Sequence, residues 1–189
     1  MNKKAMFFVA LLPALALLSA TARADEWSDT ATLFRNAGQS GKYFSHAYGY
    51  ALFPTIGKGG IVVGGAHGSG RVYTHGKYVG DTSMTQVTVG LQLGGQAFSQ
   101  IIFFEDERSF KEFTSGNFEF SAQASAVAIT AGASASAGTT GGSAGASGGK
   151  KDATTSGEYY KGMAVFTIAK GGLMYEAAIG GQKFSYKPL

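Results

Sequence analysis

The chain has 189 residues, no cysteine, 29 glycines and a formal charge of +4. The missing cysteine rules out disulfides, thiolate metal sites and cysteine nucleophiles. Three of the 16 bases (Lys3, Lys4 and Arg23) precede residue 25, which leaves 13 bases against 12 acids, a net +1 that disfavours a general nucleic-acid binder.

The first 24 residues read as a secretory signal peptide. Lys3 and Lys4 form a positive start, Ala5 to Leu18 an apolar core too short to span a bilayer, and Ala22-Arg23-Ala24 an A-x-A cleavage site. The expected location is the periplasm or the cell exterior, and an export route without disulfides is compatible with a bacterial periplasm. Residues 25–189 are long enough for one domain with its own core.

Trp27, Ala31 and Phe34 recur at helical spacing and predict an amphipathic helix over Trp27 to Ala37, stopped by Gly38. Ser40 stands where a second helix would be capped, with Phe44, Ala47, Tyr48 and Ala51 on one face and Pro54 forcing an end before Phe53. Beyond Pro54 the period changes. Ile61 to Ala66, Gly70 to Thr74 and Ser83 to Val89 read as strands, with turns at His75-Gly76-Lys77 and Gly80-Asp81. Leu91 to Phe104 reads as a glycine-broken strand whose end, Ile101-Ile102-Phe103-Phe104, is apolar on both faces. Asp106 to Thr114 reads as a helix with acids in its first turn and Gly116 as its stop.

Phe118 to Thr130 alternates small apolar and polar residues and predicts one strand in a tightly curved sheet. Residues 131–157 are rich in Ala, Ser, Gly and Thr and read as a loop with too little apolar mass for a core. Tyr159 to Ala169, Leu173 to Ile179 and Gln182 to Tyr186 read as three closing strands, joined at Lys170-Gly171-Gly172 and Gly180-Gly181. The expected fold is α+β: a strongly twisted, barrel-like antiparallel sheet with two N-terminal helices and one central helix.

Little in this pattern points to catalysis. There is no phosphate-binding G-x-x-x-x-G-K-[ST]. Gly57-Lys58-Gly59-Gly60 reads as a turn before a strand, although such a turn can also cradle an anion with its N–H groups. Two G-x-S-x-G matches, at Gly141 to Gly145 and Gly145 to Gly149, lie in low-complexity sequence without the strand and helix a nucleophile elbow needs. His67 and His75, with Asp81 nearby, make a poor metal set in spacing and type, so neither a metal nor another cofactor is expected. The charge pattern says more. From Thr30 to Gly80 there is no acid, only Arg35, Lys42, Lys58, Arg71, Lys77 and all three histidines; from Asp81 to Glu119 the balance is −4. These five bases are the expected contacts for an anionic partner.

The glycine-rich runs together resemble the SYLF domain family. They are Ala51-Leu52-Phe53-Pro54-Thr55-Ile56-Gly57-Lys58-Gly59-Gly60, Val63 to Gly70, Gly90 to Gln96, the helix ending Phe113-Thr114-Ser115-Gly116, Phe118-Glu119-Phe120, Tyr160 to Ala164 and Lys170 to Ala177. The resemblance implies a non-catalytic lipid-binding domain, with actin binding in some fungal members. It makes the chain similar to a stand-alone exported bacterial member, with the helix at Trp27–Ala37 nearest to the lipid-engaging helix of eukaryotic relatives. The expected partner is anionic phospholipid or a membrane surface of the bacterial envelope, and not nucleic acid. The alternative is a structural or adhesive protein that binds a protein partner there.

Overall fold

The computed structural model describes residues 26–60, 63–89, 95–122, 124–129, 159–170 and 178–189. The expected signal peptide, the loop at 131–157 with its two G-x-S-x-G matches, and most of the strand expected at Leu173 to Ile179 lie outside these residues. Helix α1 spans residues 26–36 and buries Thr30 and Phe34. The second N-terminal helix is reduced to one 3-10 turn, Gly41–Ser45. Ser40 does not cap it, because its Oγ donates instead to the Phe34 carbonyl at 2.6 Å. The residues beyond are taken into a strand, since Gly49 to Leu52 pair on both sides and gain two ladders of hydrogen bonds.

Five long strands form the body of the sheet: β1 (Gly49–Gly60), β2 (Val63–Thr74), β3 (Lys77–Val89), β4 (Gln96–Phe104) and, later in the chain, β7 (Met163–Lys170). Helix α2 (Glu107–Phe113) follows β4. Its capping box is reciprocal: the Ser109 N–H donates to Asp106 Oδ1 at 2.8 Å, and the Asp106 N–H donates to Ser109 Oγ at 3.3 Å. The Ser109 backbone N–H accordingly holds the exposed Asp106 carboxyl below its ordinary pKa. The turn at His75-Gly76 is a two-residue hairpin with both φ positive, as its sequence predicts.

Three expected breaks are not breaks. Gly57 to Gly60 belong to β1, paired with β2 and, at Gly57 and Lys58, also with β4, so their N–H groups form ladders rather than an anion-binding turn. Gly80-Asp81 lies inside β3, beside a bulge at Val79, and β2 runs unbroken through Gly68 and Gly70. At Gly70 an added Cβ would stand 2.5 Å from the Phe53 ring, so the ring fills the space that a side chain would need. Tyr159 to Ala169 is broken instead by a turn at Lys161-Gly162, which precedes β7.

The alternating segment from Phe118 supplies both edges of the sheet. Its first part, β5 (Phe118–Glu119), pairs with β8 (Lys183–Pro188), and its last, β6 (Val127–Ile129), lies parallel to β7. The strand order is therefore β5-β8-β3-β2-β1-β4-β7-β6. In a flat sheet the two edge strands would stand about 34 Å apart at the usual strand spacing. The chain from Glu119 to Val127 spans at most about 28 Å when fully extended. The sheet has to curl, and it does so as a half-barrel. Beyond β5 this clasp runs against residues 178–182, where the Gly180 Cα lies so close to the Ala122 carbonyl that no side chain fits.

Curling gives the sheet two unlike faces. The inner face carries Phe53, Ile56, Met84, Phe98, Ile102 and Phe184, closed over by the clasp and by Phe110 and Phe113 of α2. The outer face carries Leu52, Ile101, Phe103 and Phe166, covered by Phe34 of α1 and Tyr43 of the 3-10 turn. Ile101 to Phe104 are buried on both faces, as expected. No helix among the described residues is long and apolar enough to cross a membrane.

Candidate functional site

One extra residue in β1 decides which bases share a face. Leu52 pairs with Arg71 and Ile56 with Gly68, so four steps along β1 match three along β2, with Pro54 inside the bulge. Alternation is thereby inverted beyond Pro54. Lys58 lies opposite Ala66 and takes the inner side, whereas Arg71 lies opposite Leu52 and takes the outer side. The structure therefore does not join Lys58 and Arg71. Lys77, opposite Thr74, sits at the hairpin end of the sheet, near α2 through the Tyr48–His75 and Tyr48–Phe110 ring contacts. His67 and His75 do not face each other: His67 pairs with Thr85 in mid-strand while His75 is in the turn. Among the described residues no three His, Asp or Glu side chains are grouped to hold a metal.

The other three expected contacts do gather, all in the outer layer. The Arg35 guanidinium lies 4.7 Å over the Phe44 ring, and Lys42 Nζ lies 5.3 Å from the Tyr43 ring. Arg71 is held between two rings, 4.6 Å from Trp27 and 4.9 Å from Tyr78. A row of rings links these cations. Phe44 meets Tyr50 edge-on at 5.3 Å, Tyr50 stacks on Tyr73 at 4.9 Å, and Tyr73 leans on Tyr78 at 5.8 Å. Tyr50 and Tyr78 stay neutral at ordinary pH. Burial raises the Tyr50 pKa, with Tyr73 adding to it and Arg35 partly opposing; the hydrogen bond to Asp81 (2.5 Å) is the main cause of the rise at Tyr78. Neutral rings of this kind present their negative faces to cations and leave the charged heads in water.

Two lysines that sequence order places far away belong to the same face. Lys187 lies directly opposite Asp81, and Lys183 opposite Thr85, so both extend the outer row that contains Arg71 and His67. Only the pairing of the last strand with β3 brings them there, and no local signal in the sequence marks it. Most acids on this face are already engaged: Glu26 with Lys170 at 3.3 Å, Glu119 with Lys183 at 3.6 Å, and Asp81 with the Tyr78 hydroxyl. The acidic cluster Glu105 to Glu112 lies elsewhere, with α2, whose Phe110 and Phe113 pack on the inner cluster. There its charges are largely paired internally, Lys111 to Glu107 at 2.8 Å and Arg108 to Glu112 at 3.2 Å.

Beyond Thr55 no described residue covers the outer face. Thr55 marks the limit, where its Oγ1 donates to Glu26 Oε1 at 2.8 Å and accepts from Lys170 Nζ at 2.6 Å, fixing the start of α1. Past it, Gly57, His67 and Thr85 lie level across three strands, with the Ser69–Ser83 pair on one side and Gly65 on the other, and Val63 and Val87 stand 64% and 76% exposed.

A family model described as Las17-binding protein actin regulator (Ysc84) matches residues 85–186, from within β3 into β8. Among curated proteins, Beta cell expansion factor A of Aeromonas veronii is 29% identical over 161 residues. That alignment covers 83% of this chain and 53% of the relative, so the chain spans about half the length of the curated relative it matches. The family model covers more than half of the chain and takes in α2, the clasp and the closing strands, and on that ground the chain belongs to the Ysc84, or SYLF, family.

Proposed function

We propose that this protein is a non-catalytic module of the bacterial envelope that binds an anionic membrane surface through the outer face of its sheet. Some members of the family bind lipid or actin, and export to the periplasm or beyond would leave lipid rather than actin within reach. One observation carries the choice of surface: Arg35, Lys42 and Arg71 converge on one layer, each beside an aromatic ring, with Lys183 and Lys187 continuing it. Aromatic rings beside basic heads suit the boundary between headgroups and water. Each base near an anionic bilayer contributes roughly 1 kcal/mol at moderate salt.

The test is vesicle co-sedimentation. Binding is expected to grow with anionic lipid content and to weaken with salt. The double variant Arg35→Glu and Lys187→Glu reverses two exposed charges of the outer face, and its affinity is expected to fall by more than about tenfold. The control, Lys77→Glu with Lys161→Glu, makes the same change in net charge at the α2 end and is expected to bind nearly as the parent. Equal losses from both pairs would reduce the effect to diffuse attraction. Binding indifferent to lipid charge and salt would favour a protein partner, the role named in the family's description.

A further inference from the structure

We infer that the far end of the β2–β3 pair, presented by Val63 and Val87, is the part of this surface that enters the bilayer; the inference rests on the membrane-binding reading above. Val87 lies opposite Gly65, and Val63 two residues further along β2 on the same outer face. Such diagonal neighbours stand about 7–8 Å apart, close enough to act as one apolar spot. Among the described residues, Gly57, Gly59 and Gly65 beside them offer no side chain to cover the spot. Apolar side chains left 64% and 76% exposed on regular strands lose the free energy that burial would return, and a hydrocarbon boundary restores it.

Charge selects an anionic bilayer as the occupant. Past the row of Arg71 and Asp81, the described parts of β1, β2, β3 and β4 toward this end contain no acid. Lysines flank it: Lys58 on the inner side, and Lys170 beside β4 and Lys183 opposite Thr85, whose exposed ion pairs with Glu26 and Glu119 a lipid phosphate can replace. Long lysine stems can lie along the apolar boundary while their ammonium groups reach the phosphates. The backbone of β2 imposes no obstacle, since it is paired with β1 from Gly64 and with β3 from Val63, whereas the pairing of β3 with β8 stops at Thr85 and so limits entry to the shallow boundary.

The experiment exploits the absence of cysteine. Val63→Cys, Val87→Cys and Lys77→Cys are each labelled with an environment-sensitive fluorophore such as NBD and mixed with anionic vesicles with or without doxyl-labelled lipid. Ten residues of strand place Lys77 about 30 Å from Val87. Blue-shifted, doxyl-quenched emission is expected at 63 and 87, with neither effect at 77. Vesicle-bound protein whose labels at 63 and 87 stay unquenched overturns the insertion and leaves the membrane-binding reading standing. Unlabelled protein that fails to sediment with the vesicles removes both.

Discussion

The two faces of this sheet are closed by different means. The inner face is sealed by the chain itself: a clasp that belongs to both edges of the sheet, a knot of phenylalanines around Phe184, and buried amides. Gln100 and Gln182, both fully buried, exchange hydrogen bonds of 2.9 and 3.2 Å, and Gln86 donates to the Gly180 carbonyl at 2.8 Å. The outer face is covered by one short helix and one 3-10 turn, tied down by Phe34, a Lys170–Glu26–Thr55 cluster and cations lying on rings. The inner side spends its polar groups on itself. The outer side leaves cations, small residues and two valines to solvent, and that difference separates the part that specifies the fold from the part available to a partner.

The strongest way to break this comparison is to empty each core in turn. Phe184 is 3% exposed and meets the rings of Phe53, Phe113, Phe118 and Phe120 at 5.0 to 6.0 Å, so it joins the sheet, α2 and the clasp. Phe184→Ala is expected to cost about 3–5 kcal/mol in urea unfolding, the range for buried Phe→Ala changes. Phe34→Ala is expected near the lower end of that range, because α1 can settle onto the space it leaves. A larger loss at Phe34 would place the centre of stability on the wrong face.

A smaller effect tests the amides. Gln100→Leu strands the buried amide of Gln182, and about 1–3 kcal/mol is expected to be lost. Adding Gln182→Leu removes the stranded group, so the double variant is expected to recover part of the loss. Additive losses in the double variant would mean that shape, rather than the paired amides, holds residues 178–182 in place.

Much of the fold was legible because it rests on local chemistry. The period of Trp27, Ala31 and Phe34, the Asp106 start and Gly116 stop of α2, and the His75-Gly76 turn each depend on a few neighbours. What stayed hidden depends on partners. The segment from Phe118 alternates like a single strand, and alternation cannot reveal that its two ends pair with β8 and β7 at opposite edges. Gly49 to Leu52 sit in a helical pattern but gain more from pairing on both sides than from extending one turn. For the candidate site, the absence of acids from Thr30 to Gly80 singled out five bases, three of which the structure gathers on one layer. It could not assign faces, because the bulge at Pro54 turns Lys58 inward, and it missed Lys183 and Lys187, which reach the surface of Arg71 through the last strand.

The smallest expected effect concerns the outer face and matches the amide cycle in design. Arg71 lies between Trp27 and Tyr78, so the Trp27 contact is one of the ties that hold the first turn of α1 to the sheet. A guanidinium over an indole at a half-exposed site couples by about 0.5–1 kcal/mol. Trp27→Leu, Arg71→Leu and the double change form a cycle that isolates this coupling from the loss of packing by either side chain. Its coupling is expected to be smaller than that of Gln100 with Gln182, since water competes for the cation but not for the buried amides. Hydrogen exchange on the same proteins is expected to show faster exchange confined to residues 26–36 in both single variants, with the inner strands unchanged. A coupling well above that range, with faster exchange reaching β3 and β8, would mean that the outer layer is part of the cooperative core, and the division between the two faces would fail.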